Sequence, residues 1–211
     1  MTARARFIVL EGIDGAGTTT QAKRLAEALE RRGTPVCLTC EPTPGPVGKL
    51  IRQALQHKLV AENGEGVRPV SWSTMALLFA ADRLDHVDSV IAPALSAGRT
   101  VVCDRYVLSS LAYQSVTSPA GEGAVPWIRD LNARALRPDL TIVLDVSDEV
   151  AAERRAARGG PAEMFEVREI QRRLAEVYAR GERLVPDDPL VHVADGPPDA
   201  VAARVLEAAL R

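Results

Sequence analysis

Short runs of consecutive apolar residues alternate along the chain with longer segments in which apolar residues recur at helical spacing. The short runs are rich in β-branched residues, and most of them lack the alternation of apolar and polar side chains. Continuous apolar runs of this length are typical of strands covered on both faces, as in a parallel sheet flanked by helices. The pattern therefore predicts five strands, at residues 7–10, 35–39, 100–103, 140–146 and 190–193.

The segments between these strands predict seven helices, at residues 19–32, 47–57, 73–97, 127–135, 148–157, 167–183 and 199–210. Gly33 and Gly98 follow two of them, where a helix end needs a residue that tolerates positive φ. The alternation predicts an α/β fold with a five-stranded parallel sheet and helices on both faces. At 211 residues the chain suits a single domain, 1–211.

Two segments rich in Gly, Pro and charged residues, 62–69 and 158–166, are predicted to be mobile. The second one is expected to belong to a lid at about residues 154–166. A plain surface connector is the alternative for each segment.

Charge and termini narrow the possible partners. The formal net charge is −2 and no dense Lys/Arg block occurs, so we expect small-molecule partners and no nucleic acid. The basic N-terminus runs into an apolar stretch that Glu11 interrupts at once, which fits neither a signal peptide nor a membrane span. We therefore expect a cytoplasmic protein without a membrane partner. Cys37, Cys40 and Cys103 are read as reduced thiols.

Candidate chemistry begins with the segment GIDGAGTT at residues 12–19, which follows the first strand and precedes a helix. Its spacing is that of a Walker A phosphate loop, in which backbone N–H groups and a helix N-terminus hold phosphates. Thr19 takes the position whose hydroxyl binds Mg²⁺. A tight strand-to-helix turn without a ligand is the alternative for this segment alone.

The lysine of that motif is replaced by Thr18, which removes a positive charge from the phosphoryl group that is transferred. Lys23 is a poor substitute because it lies about 7.5 Å along the helix and roughly 140° around it. Losing one preorganised donor costs about 3–4 kcal/mol of transition-state stabilisation. We therefore expect either a compensating cation or a slow enzyme.

Several segments together resemble one family. FIVLEGIDGAG from Phe7, followed by Thr20-Gln21-Ala22, resembles the opening of bacterial thymidylate kinases. The segments TCEP (39–42), LLFAADR (77–83), DRY (104–106), SSLAYQ (109–114) and RPDL (137–140) follow in that family's order. The resemblance covers nearly the whole chain. It implies a P-loop NTPase fold, Mg²⁺-dependent transfer of a phosphoryl group from ATP to dTMP to give dTDP, and a homodimer.

Some roles can also be argued from the residues. Asp104 ends an apolar strand at the sheet edge where α/β folds bind ligands, so with Thr19 it could hold Mg²⁺, through water. Phe79 and Arg83 are four residues apart on one helix face and suit a pyrimidine base.

The resemblance adds further roles. It implies that Phe79 stacks on thymine, that Arg83 bonds the edge of the base, and that Tyr113 disfavours a 2′-hydroxyl. The expected dTMP-binding residues are Glu41, Phe79, Arg83, Arg105, Ser110, Tyr113 and Gln114. The expected ATP phosphate-binding residues are Gly12, Gly15, Ala16, Gly17, Thr18, Thr19 and Thr20. The expected catalytic residues are Asp14, Arg105, Arg154 and Arg158.

The chain departs from the family pattern at three cationic positions, because Thr18, Cys40 and Met164 stand where lysine or arginine is expected. These changes keep a second hypothesis open, in which the protein binds nucleotides but has little kinase activity. The altered segment 44–46 near the expected acceptor site keeps open a kinase for another nucleoside monophosphate.

Overall fold

The computed structural model of the protein describes residues 4–63, 66–159 and 164–211. Its centre is a five-stranded sheet in the order β2-β5-β1-β6-β7. Every neighbouring pair in this sheet is parallel. The strands are β1 (Phe7–Glu11), β2 (Val36–Cys40), β5 (Thr100–Asp104), β6 (Leu140–Asp145) and β7 (Leu190–Ala194). The prediction of five parallel strands is confirmed.

Two further strands, β3 (Val60–Asn63) and β4 (Gly66–Pro69), pair antiparallel in a separate sheet. The structure therefore replaces the predicted loop at residues 62–69 by paired strands in the part that it describes, and the predicted mobility stays a prediction. Asn63 pairs with Gly66, and the two residues between them in the sequence are Gly-Glu, a Gly-X pair of the kind that joins hairpin strands.

The helices are α1 (Thr18–Arg31), α2 (Pro46–Leu55), α3 (Trp72–His86), α4 (Ala92–Ser96), α5 (Val107–Thr117), α6 (Val125–Leu131), α7 (Asp148–Arg158), α8 (Arg168–Tyr178) and α9 (Pro198–Leu210). Local sequence signals mark the residues at which several of these helices start. Ser71 caps α3 by accepting a hydrogen bond from the N–H of Thr74. Proline lies in the first turn of α2, α6 and α9, where a missing N–H costs nothing.

Two helix predictions needed correction. The predicted helix 73–97 is divided by a π-helical turn, Val87–Ile91, just before Pro93, whose ring cannot donate the regular backbone hydrogen bond. Helix α5 was not predicted at all. Its sequence shows little amphipathic period because most of its length is buried on every side. Gly33 and Gly98 have φ of 80° and 75°, as predicted for helix ends.

Apolar side chains of β1 alternate between two cores. Ile8 and Leu10 belong to the larger core with α1, α5 and α8. Phe7 and Val9 belong to a smaller core with Ile91 of the π-helical turn. Helices thus cover both faces of the sheet, as predicted, and its carboxyl-terminal edge is left for a ligand site. No helix in the described part of the chain combines the length and the apolar character needed to cross a membrane.

Candidate active site

The phosphate loop joins the end of β1 to the start of α1. Gly15 and Gly17 have φ of 92° and 93°, a backbone region that favours glycine. A Cβ at Gly15 would overlap the carbonyl oxygen of Ala151 and lie 3.1 Å from its carbonyl carbon, so α7 rests directly on the loop. The first N–H groups of α1 have no partner within the helix and point to where an anion binds.

Within this loop, Thr18 is 5% exposed and its Cγ2 lies 3.5 Å from the position of a Cβ on Gly12. Its side chain therefore packs against the loop and does not extend over it as a lysine would. The predicted phosphate-binding residues Gly12, Gly15, Ala16, Gly17, Thr18, Thr19 and Thr20 form this loop and the first turn of α1. Whether they hold the phosphates of ATP stays a prediction.

Thr19 and Asp104 meet at the end of β5, where the Thr19 hydroxyl donates a hydrogen bond to Asp104 Oδ2. Asp104 is 8% exposed, and its Oδ1 is buried without a protein hydrogen-bond partner in the described part of the chain. No cluster of three His, Cys, Asp or Glu side chains suited to a metal occurs among the described residues. One carboxylate and one hydroxyl beside bound phosphates is a donor set that fits Mg²⁺.

Arg105 and Asp14 form an ion pair next to the loop, with Arg105 Nη2 2.6 Å from Asp14 Oδ1. Arg105 Nη1 donates hydrogen bonds to the carbonyl oxygen of Gly12 at 2.8 Å and to Ser109 Oγ at 3.2 Å. Its guanidinium lies 5.3 Å from the ring centre of Tyr113. Burial disfavours the charge on Arg105, but the neighbouring Tyr113 and Asp14 raise its pKa well above the ordinary value. The guanidinium is therefore a fixed positive charge.

A cavity of about 310 Å³ opens between the phosphate loop, β2, α3 and α5. This volume is in the range of small-molecule sites. All the predicted dTMP-binding residues line it, namely Glu41, Phe79, Arg83, Arg105, Ser110, Tyr113 and Gln114. The structure brings Asp14, Thr19 and Asp104 to the same cavity.

Arg83 is held at the floor of this cavity and is 1% exposed. Its Nη2 lies 2.7 Å from Glu41 Oε2 and donates hydrogen bonds to the Tyr106 carbonyl oxygen at 2.9 Å and to Ser110 Oγ at 3.0 Å. His86 supports Glu41 from behind, because its Nδ1 lies 3.0 Å from Glu41 Oε1. Two charged groups are thus buried as a pair with hydrogen bonds on both sides, which offsets their desolvation.

Unpartnered polar atoms also face this region. Gln114 is 0% exposed, and neither its Nε2 nor its Oε1 has a hydrogen-bond partner within the described protein. The Nε of Arg83 is likewise without one. Buried polar groups are nearly always hydrogen-bonded, so these atoms point to a polar ligand.

Arg154 and Arg158 form ion pairs with carboxylates outside the phosphate loop, and their predicted catalytic role stays a prediction. Arg154 Nη2 pairs with Asp195 Oδ1 at 2.9 Å, and Arg158 Nη2 pairs with Glu166 Oε1 at 2.6 Å. In their place, Arg155 Nη1 donates a hydrogen bond to the backbone oxygen of Asp14. Residues 160–163 of the predicted lid lie outside the described residues.

The chain matches the family model described as "Thymidylate kinase" over residues 10–204. The chain belongs to the thymidylate kinase family. Its α/β architecture is the P-loop NTPase fold of that family.

Curated relatives agree with this family. A "Probable thymidylate kinase" of Pyrococcus horikoshii is 43% identical over 189 residues, which cover 90% of this chain and 88% of the relative. A "Thymidylate kinase" of Thermomicrobium roseum is 41% identical over 204 residues, covering 94% and 91%. One of Alkalilimnicola ehrlichii is 41% identical over 163 residues, covering 77% and 72%.

Several residues of this family member were missed in the sequence. Glu11, 0% exposed, accepts hydrogen bonds from the N–H groups of Tyr106 at 2.9 Å and Ser109 at 3.1 Å, and from the Tyr178 hydroxyl at 3.3 Å. Burial raises the pKa of Glu11. The sequence feature that could have revealed Glu11 is a carboxylate at the end of an apolar strand, directly before the phosphate loop.

Two more missed residues hold the segment after β2. Asp82 accepts hydrogen bonds from the N–H and the hydroxyl of Thr43, at 2.7 and 2.6 Å. Arg52 donates hydrogen bonds to the carbonyl oxygens of Pro42 and Thr43 and lines the cavity. Asp82 is part of the segment LLFAADR, but its spacing in the sequence does not predict that Thr43 is its partner. Gln171, on α8, donates a hydrogen bond to Asp14 Oδ2 at 3.0 Å.

Proposed function

We propose that the protein transfers the γ-phosphoryl group of ATP to dTMP in the presence of Mg²⁺, giving ADP and dTDP. The observation that carries this proposal is one cavity that joins a phosphate loop to a buried polar pocket, in which the Gln114 amide lacks protein partners. Membership of the thymidylate kinase family supports the same activity.

At the donor end, residues 12–20 are proposed to hold the phosphates of ATP through backbone N–H groups and the N-terminus of α1. Thr19 and Asp104 would hold Mg²⁺, with Asp104 acting directly or through water. The metal ion would neutralise charge on the donor phosphates.

At the acceptor end, thymine presents a ring N–H donor between two carbonyl acceptors. The Gln114 amide has its NH₂ donor group and its carbonyl acceptor available, which complements that edge. Phe79 supplies a flat apolar surface. Arg83 is fixed by Glu41 and Ser110, and its Nε is left without a protein hydrogen-bond partner among the described residues. Tyr113 is proposed to lie beneath the sugar and to disfavour ribose.

For the transfer step, the chain has to position two nucleotides and neutralise charge, because phosphoryl transfer asks for little covalent chemistry from the protein. Arg105 is proposed to bind the phosphate of dTMP, since its charge is fixed at the cavity wall beside Asp14. Asp14 is proposed to orient Arg105 and the acceptor nucleotide.

By family resemblance we further propose a cytoplasmic homodimer of the bacterial type, with 1–211 as one domain and a lid at about 154–166.

A coupled assay of ADP release tests the activity, with ATP, Mg²⁺ and a panel of dTMP, dUMP, dCMP and dGMP. The expected result is kcat/KM highest for dTMP and turnover that stops when EDTA removes the metal. Higher kcat/KM for another monophosphate would make the protein a kinase for that nucleotide. Absence of turnover, with ATP and dTMP binding still measurable by calorimetry, would favour a nucleotide-binding protein with little kinase activity.

A further inference from the structure

Thr18 leaves the donor phosphates without the cation that a phosphate loop normally supplies, and its own side chain is buried. Lys23 is exposed on α1 and is directed away from the loop by helix geometry. Among the described cationic side chains, Arg105 and Arg155 donate hydrogen bonds to residues of the loop. One of these two is the candidate for the missing charge.

Arg105 is already committed elsewhere. Its Nη2 is paired with the Asp14 carboxylate at 2.6 Å, and its guanidinium forms part of the wall of the nucleoside cavity. This position suits the phosphate of the acceptor rather than the donor.

The hydrogen-bond partners of Arg155 that the structure describes are all neutral groups. Its Nη1 donates to the backbone oxygen of Asp14 and lies 3.4 Å from Gln171 Oε1. Within the described residues it forms no ion pair with a carboxylate, whereas Arg154 and Arg158 both do. The full charge of Arg155 therefore remains available at the loop.

Helix geometry places Arg155 on the side of α7 that faces the loop. Ala151 is 0% exposed and its backbone lies against Gly15, so it marks that side, which Arg155 shares from four residues further along. Arg154 and Arg158 are three and seven residues from Ala151 and share the same side, so it is the side-chain contacts that distinguish the three arginines. Arg155 bonds to the loop, whereas Arg154 and Arg158 pair with carboxylates elsewhere.

We propose that Arg155 takes over the role of the absent loop lysine and binds the γ-phosphate of ATP. Gln171 is the positioning residue, because its amide touches both the Arg155 guanidinium and, at 3.0 Å, Asp14 Oδ2. This inference rests on the proposed function as an ATP-dependent kinase.

Two measurements on Arg155→Ala test it, with Arg172→Ala on the exposed side of α8 as the matched arginine control. In the coupled assay kcat should fall by about 10²- to 10³-fold, while KM for dTMP changes by less than about threefold. In calorimetry without dTMP, Arg155→Ala should weaken ATP at least about tenfold and leave ADP unchanged, because the lost charge faces the γ-phosphate. Arg172→Ala should match the wild type in both.

A rescue experiment separates charge from structure. Thr18→Lys restores a loop lysine, so in the Arg155→Ala background it should recover at least about tenfold of kcat, and guanidinium ion added to Arg155→Ala should recover part of it. The proposal would be overturned if kcat of Arg155→Ala were within about threefold of the wild type. It would also be overturned if Arg154→Ala or Arg158→Ala lowered kcat more than Arg155→Ala does. If the wild type turns over no monophosphate, the proposed function fails, and equal loss of ATP and ADP affinity would then separately overturn the role of Arg155.

Discussion

Gln114 gives a prediction in which stability and activity move in opposite directions. Its amide is 0% exposed and unpartnered within the described protein, and a buried unsatisfied donor or acceptor costs about 1–3 kcal/mol. Replacing it by leucine removes both groups and adds apolar surface at similar volume. We expect the free energy of unfolding of the ligand-free protein to rise by about 1–2 kcal/mol, which for a domain of this size raises Tm by roughly 2–8 °C.

The same Gln114→Leu change should lower kcat/KM for dTMP by about 10- to 100-fold, because the base loses two hydrogen bonds. Gln171→Leu is the matched control, since Gln171 is also 0% exposed but its amide is hydrogen-bonded to Asp14 and to the Phe165 carbonyl oxygen. That variant should lower Tm. Calorimetric melting and the coupled assay measure both effects. A Tm of Gln114→Leu at or below that of the wild type, or an unchanged kcat/KM, would refute the reasoning.

Two further predictions concern the phosphate loop and the strand before it. Gly15→Ala should lower kcat at least about tenfold, because the new Cβ displaces α7 through its contact with Ala151. Gly98→Ala is the control, since Gly98 also has positive φ but a Cβ there would meet no atom within 4 Å. That variant should lose only about 1 kcal/mol of stability. Burial raises the pKa of Glu11 in the folded protein above its ordinary 4.5. The folded state therefore holds the Glu11 proton more tightly than the unfolded state does. The stabilisation of the fold that results is complete below the unfolded pKa and is lost as pH rises through the folded pKa. Urea titrations at a series of pH values should therefore show Glu11→Gln gaining on the wild type by up to ~1.4 kcal/mol per pH unit between the unfolded and the folded pKa of Glu11. A pH-independent difference contradicts this.

Elements with a strong local period were predictable from the sequence. The central strands β1, β5 and β6 were found because they are buried along nearly their whole length and read as almost continuous apolar runs. The edge strands β2 and β7 are partly exposed, but each still contains a short run rich in apolar residues. Helix α5 was missed for the corresponding reason, since residues buried on all sides of a helix remove the amphipathic period. The β3–β4 hairpin has exposed strands and therefore lacks an apolar run of its own.

The candidate site was predictable where its residues end strands or lie one helical turn apart. Asp104 and Thr19 meet because both follow central parallel strands at the same sheet edge. Arg155 could not be chosen over Arg154 and Arg158, because all three share one side of α7 with Ala151 and differ only in the partners of their side chains. That side is fixed by the contact between Ala151 and Gly15, a long-range contact that local spacing does not reveal.

The contact between Gly15 and Ala151 also limits how this loop can change over evolutionary time. A loop arginine at position 15 and an α7 helix docked as it is here exclude one another, because any Cβ at that position occupies the space of the Ala151 carbonyl. An arginine at position 15 therefore requires α7 to move away from the loop. An arginine introduced at residue 15 alone would displace α7 and so break the contact between Arg155 and the loop.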